Sequence, residues 1–144
     1  MAHPPTPPTI LIAEDDADDT FLLKHAFSKT GLKCELRFVR NGEEAIAYLQ
    51  GKAPYDDRET FPEPSLVLLD LKMPMVDGYQ VLQWVQTRPE LKSLPVLVHS
   101  GSVLPQDKER TAKLGAKEYH VKGFTVAERI ELFQGLSQRW LGLK

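Results

Sequence analysis

Residues 65–78 read Ser65-Leu66-Val67-Leu68-Leu69-Asp70-Leu71-Lys72-Met73-Pro74-Met75-Val76-Asp77-Gly78. An unbroken apolar run ends on a carboxylate, the pattern of a strand buried on both faces. A turn follows, and Val81, Leu82 and Val85 then recur at helical spacing. Buried strand, acidic turn, helix is the unit from which the rest of the chain is read.

Upstream, Thr9-Ile10-Leu11-Ile12-Ala13 is a second such run, stopping at Glu14-Asp15-Asp16 with Asp18-Asp19 close behind. From Ala17 to Lys29 Leu22 and Ala26, then Leu23 and Phe27, stack at i,i+4, and the acids suit a helix start; Gly31 stops it. Lys33 to Val39 alternates Cys34, Leu36 and Phe38 with charged residues, as a half-buried strand near an edge does. Asn41-Gly42 turns into a helix over Glu43–Gln50, and Gly51 to Pro64, with three prolines, reads as a surface loop. Downstream, Pro95 to His99 is a strand ending on Ser100-Gly101. A helix runs near Gln106–Leu114, with Gly115 at its left-handed cap. Lys117 to Val121 is the last strand, ending on Lys122, and Val126, Ile130, Phe133 and Trp140 mark a closing helix. Five strand-then-helix units predict an α/β fold, a doubly wound parallel sheet of order 2-1-3-4-5 with helices on both faces, as in flavodoxin-like proteins.

The 144 residues make one domain, and 42% apolar with 26% charged residues is a globular composition. A net charge of -2 lacks the basic footprint of a nucleic-acid binder. No apolar run reaches the roughly 18 residues of a membrane span. Met1 to Thr9 has neither the charged nor the apolar region of a secretory signal, and the single Cys34 agrees with a cytoplasmic location. Four prolines among residues 1–8 predict a disordered arm, leaving 9–144 as the folded unit.

In such sheets the ligand crevice lies beyond the carboxyl ends of the strands, where the order reverses. Glu14 and Asp15, Asp70, Ser100 and Lys122 all follow strand ends. Clustered carboxylates repel unless protons or a cation intervene, and oxygen-only ligands suit Mg²⁺ shared with a phosphoryl group. A lysine and a hydroxyl opposite them fit that group's other oxygens. The chemistry this predicts is phosphoryl transfer to Asp70.

The segments 10–16, 68–78, 95–100 and 119–122 together resemble the receiver domain of two-component response regulators, the CheY-like family, over about residues 9–140. The resemblance implies Asp70 as phosphoacceptor, Asp15 as a direct Mg²⁺ ligand, Glu14 as its partner through water, and the Lys72 backbone carbonyl as a further metal ligand. It implies Ser100 as the switch hydroxyl, Tyr119 as the aromatic switch and Lys122 as the phosphate-pairing lysine. Gly123 stands where the family usually has a cis proline, and Ser100 replaces the commoner threonine, keeping the hydroxyl without the β-branch. The long 51–64 loop and the Trp140-Leu141-Gly142-Leu143 ending resemble single-domain regulators that partner bacterial phytochromes.

The expected function is therefore that of a phosphoacceptor assisting its own phosphotransfer, not an enzyme acting on a small substrate. Its donor is a sensor histidine kinase or a histidine phosphotransfer protein. Output is expected through protein contact, including a homodimer through the fourth helix, fifth strand and fifth helix, without nucleic acid or membrane. One alternative is an interaction module working unphosphorylated. The other, an aspartyl-phosphate phosphatase, needs a second acid where Lys72 stands. Asp18-Asp19 reads as a solvated helix start, Asp77 as a turn residue, and His25, His99 and His120 as structural, having no metal-ligand spacing.

Overall fold

The computed structural model describes residues 6–143. In chain order the elements are β1 (Thr9–Ala13), α1 (Ala17–Ser28), β2 (Glu35–Val39), α2 (Gly42–Gln50), β3 (Leu66–Leu69) and α3 (Gly78–Gln86). A 3-10 turn (Pro89–Leu91) then leads to β4 (Val96–Ser100), α4 (Pro105–Lys113), β5 (Tyr119–Val121) and α5 (Val126–Leu141). All strand pairs are parallel, and the order is β2-β1-β3-β4-β5.

The period-2 alternation of the strands sorts their side chains into two cores. Ile10, Ile12, Leu66, Leu68 and Leu97 pack with Leu23 of α1 and Phe133 and Leu136 of α5. Leu11, Ala13, Val67, Leu69, Val96 and Val98 pack with Ala45 and Tyr48 of α2 and Val81 and Leu82 of α3. Each fully buried leucine contributes about 1.5–3 kcal/mol, so the central strands carry a large share of the burial energy. Cys34 and Trp140 both join the core shared by α1 and α5, Trp140 by covering its edge.

Two strands are shorter than their sequence pattern. β2 begins at Glu35 rather than Lys33, because its ladder ends at Pro8, whose carbonyl accepts from the Glu35 N–H but which has no N–H to continue the pairing. β5 begins at Tyr119 rather than Lys117, although Lys117 N–H already bonds to the Val96 carbonyl at 2.9 Å. Of the arm expected over residues 1–8, residues 1–5 lie outside the described part. No helix among the described residues is long and apolar enough to cross a membrane.

The 51–64 loop is less open than its composition suggests. Tyr55 and Phe61 pack edge-on or tilted against Tyr48, whose hydroxyl donates to the Pro62 carbonyl at 2.8 Å, and the Arg58 guanidinium lies over the Tyr48 ring.

Candidate functional site

Strand register brings the acids together. Ala13 lies opposite Leu69, so Glu14 and Asp70 leave the sheet side by side, and Asp70 N–H donates back to the Ala13 carbonyl at 3.1 Å. Ser100 lies opposite Val121, and the Lys122 N–H donates to the Ser100 carbonyl at 2.8 Å. The result is a cleft of about 530 Å³ at the carboxyl edge of the sheet, lined by Glu14, Asp15, Asp70, Lys72, Ser100 and Lys122 among others.

Lys122 organises this cleft. Its Nζ lies 2.7 Å from Glu14 Oε1, 2.8 Å from Asp70 Oδ2 and 2.9 Å from Asp19 Oδ2. Burial works against the ammonium charge, but the hydrogen bonds to Asp70, Glu14 and Asp19 outweigh it and hold the amine protonated well above its usual range. Burial pushes the Glu14 carboxyl up to about 7; the Lys122 hydrogen bond opposes this and the Asp70 charge adds to it. The Lys122–Gly123 peptide is trans, and the lysine reaches Asp70 without a proline behind it.

Glu14, Asp15 and Asp70 can each offer one oxygen within 4.8 Å of the others. Glu14 and Asp70 are buried while Asp15 is exposed, so the group opens to solvent on one side. Three hard oxygen donors with an open side fit a divalent cation that keeps part of its water shell.

The turn after β3 is shaped to hold Asp70. The Lys72 N–H donates to Asp70 Oδ1 at 3.3 Å, and the Lys72 side chain stays exposed. Gly78 passes so close that a Cβ there would lie 2.4 Å from the Asp70 carbonyl oxygen, so any larger residue forces this backbone to shift. Asp77 is the N-cap of α3, in a reciprocal capping box with Gln80, and serves the turn as its sequence suggests.

Ser100 is buried, with its Oγ accepting from the Ser102 N–H at 3.2 Å. Tyr119 is set back from the cleft; its hydroxyl donates to the Ser102 carbonyl at 2.8 Å. His99 and His120 are paired across β4 and β5. Burial, helped by the nearby Lys122 charge, pushes His99 down to about 4 and keeps its ring neutral.

Asp19 departs from expectation. It is not part of a solvated helix start: its carboxylate accepts from Lys122, and Arg129 Nη2 of α5 lies 3.9 Å away. The signal for this was positional. Asp16 caps α1 and accepts from the Asp19 N–H at 2.9 Å, so the third helical residue turns back toward the strand end. Arg129, buried and donating to the Thr125 carbonyl at 3.1 Å, carried no such signal.

Residues 10–134 match the family described as response regulator receiver domain. The chain belongs to that family. Response regulator Rcp1 of Synechocystis sp. is 33% identical over 94% of this chain and 90% of its own length. The structure of the phosphorylated cyanobacterial phytochrome response regulator RcpA superposes with a TM-score of 0.83 at 31% identity, covering 94% of both chains. The Mn²⁺-bound form of Rcp1 gives a TM-score of 0.80 at 32% identity, over 94% of this receiver and 95% of that one.

Proposed function

We propose that this receiver accepts a phosphoryl group on Asp70 from a phosphohistidine and signals through a change in its protein-binding surface. The observation that carries the reading is the Lys122 ammonium 2.8 Å from Asp70 Oδ2, beside the Glu14, Asp15 and Asp70 oxygens. A carboxylate oxygen of Asp70 attacks phosphorus in line, the P–N bond breaks, and the histidine nitrogen takes its electron pair.

Lys122 holds charge throughout, moving from the free carboxylate to a phosphoryl oxygen as the acyl phosphate forms. Glu14, Asp15, Asp70 and the Lys72 carbonyl are the groups that would hold Mg²⁺, Glu14 acting through water. The bound ion supplies neutralisation of the phosphoryl oxygens. The Ser100 hydroxyl donates a hydrogen bond to a phosphoryl oxygen, and the Ser102 N–H already on its Oγ couples that hydroxyl to the loop after β4. Movement of this loop breaks the Tyr119–Ser102 bond and frees the ring to rotate, altering the face formed by α4, β5 and α5. That face is the proposed surface for a homodimer.

The donor is a sensor histidine kinase or phosphotransfer protein, and the likeness to Rcp1 and RcpA supports a phytochrome-type kinase. Exposed apolar side chains at the cleft support protein docking there. Val103 and Leu104 line it, and Phe124, two residues past Lys122, is 95% exposed. We place this chemistry in the cytoplasm and count residues 1–8 as an arm preceding the receiver.

Acetyl phosphate with Mg²⁺ tests the reading. Intact-mass measurement should show one added phosphoryl group on the wild type and none on Asp70→Asn. An unmodified wild type would overturn it.

A further inference from the structure

A second cavity, of about 330 Å³, opens at the opposite edge of the sheet. It lies between the end of α3, the 3-10 turn, the first residue of β4 and the turn after α4. Val96 begins β4 and Ser100 ends it, so about 13 Å of strand separates this cavity from the phosphoacceptor cleft. The two sites share no lining residue.

The walls are apolar: Leu82, Val85, Leu91, Leu94 and Leu114. The polar side chains of the lining are the Gln86 amide and three cations, Arg88, Lys92 and Lys117, with no carboxylate among the lining residues. None of these three cations forms an ion pair among the described residues. Two acids adjoin lining residues in sequence: Glu90 lines a separate hollow that shares Leu91 and Leu94, and Glu118 is bonded to Arg139, Trp140 and His120.

Arg88 adds an independent observation. Its guanidinium is stacked over the Trp84 ring, 5.0 Å from the centroid, and its Nε is buried without a hydrogen-bond partner. A buried donor left unpaired is costly, and buried polar groups in folded proteins nearly always find a partner. Here the group is a charged donor held by an aromatic ring beside an apolar chamber. Nε itself is occluded, so the terminal guanidinium nitrogens, without a protein partner among the described residues, are the donors that an acceptor in the chamber meets.

We infer that this cavity binds a small organic carboxylate with an aromatic or branched aliphatic body, its carboxylate meeting Arg88 and Lys117 and its body filling the chamber. The volume lies at the lower end of the range for small-molecule sites, which selects a compact ligand. The apolar walls supply binding energy, and the cations fix the orientation and discriminate against neutral isosteres. Because Leu114 and Gly115 follow directly on α4, an occupant buttresses the C-terminal end of that helix.

The test is an NMR titration of the ¹⁵N-labelled full chain with 4-phenylbutyrate, and in parallel with 4-phenyl-1-butanol as its neutral counterpart. The amides of Leu91, Gly115 and Lys117 should shift saturably with the acid and respond about tenfold more weakly to the alcohol. Arg88→Gln and Lys117→Gln should each weaken the acid by several-fold and leave the alcohol unchanged. Lys117 is exposed, so its variant keeps the test valid should Arg88→Gln fold poorly. Absence of saturable shifts at these amides, equal affinity for acid and alcohol, or full affinity in Lys117→Gln would overturn the inference.

Discussion

Asp19 Oδ2 lies 2.9 Å from Lys122 Nζ, joining the first turn of α1 to the residue after β5. With Glu14 and Asp70 it makes Lys122 the hub of three carboxylates, and it also stands nearest to the buried Arg129. Asp19 thus ties the cleft to the α1–α5 side of the sheet.

Replacing Asp19 with Ala removes an acceptor from Lys122 and leaves the Arg129 guanidinium without its closest carboxylate. The expected loss is about 1–2 kcal/mol, less than for a tight buried pair because the Arg129 distance is 3.9 Å. Urea denaturation at pH 7 reads this as a lower midpoint with an unchanged slope. A midpoint equal to wild type would mean that water replaces the carboxylate without loss.

Mg²⁺ should stabilise the receiver, because Glu14, Asp15 and Asp70 share one pocket in which Lys122 is the only cation paired with any of them among the described residues. Preferential binding to the folded chain predicts about 1.4 kcal/mol when Mg²⁺ is tenfold above its dissociation constant. The melting temperature should rise with millimolar Mg²⁺ in the wild type and stay flat in Asp15→Asn. A rise of equal size in that variant would place the ion elsewhere.

The residues legible in the sequence are those that leave a strand end directly. Glu14, Asp15, Asp70, Ser100 and Lys122 need only the strand order and the side on which strands end, both set by right-handed crossovers. Asp19 needs the orientation of α1 about its axis, which depends on the Asp16 cap and on packing against α5. Arg129 and the partner of Tyr119 were hidden for the same reason: each is defined by a contact between elements, not by spacing within one. The 51–64 loop was illegible because Tyr48, Tyr55 and Phe61 follow no helical or strand period, yet their stacking is what orders it.

Gly78→Ala should disturb the site without touching any reactive group. Its Cβ would meet the Asp70 carbonyl oxygen at 2.4 Å and Leu71 Cα at 2.8 Å, both backbone atoms that cannot swing aside. Such overpacking costs about 1–3 kcal/mol and displaces Asp70 relative to Lys122. The expected result is a lowered melting temperature together with slower acetyl phosphate labelling of the folded protein. Wild-type labelling with lowered stability would show that the turn relaxes away from Asp70.

His99 should remain neutral far below the usual histidine range. Burial and the Lys122 charge hold it at about 4, against 6.5 when exposed, so the unfolded chain takes up this proton first as pH falls. The lowered value makes His99 a source of stability that is present above pH 6.5 and is lost between pH 6.5 and 4. Carbon-detected NMR of the ring should give a midpoint near 4, and a midpoint near 6.5 would contradict the burial argument.

Glu118 sets a second, more acidic window. Its carboxylate accepts from Arg139 Nε and Nη2 at 2.9 and 2.7 Å and from Trp140 Nε1 at 2.8 Å, and it pairs with the His120 ring at 2.7 Å. Hydrogen bonding to Arg139, with smaller help from His120 and Trp140, outweighs partial burial and lowers its pKa to about 2 from 4.5. A depressed carboxylate stabilises the fold fully above pH 4.5, and that contribution disappears as pH falls toward 2. Because Arg139 is half exposed, solvent screening reduces the expected contribution to about 1–2 kcal/mol. Denaturation of wild type and Glu118→Gln at pH 5.5, 4 and 2.5 should show a stability gap that narrows at each step. A gap independent of pH would mean that the carboxylate charge contributes nothing to fastening α5 onto β5.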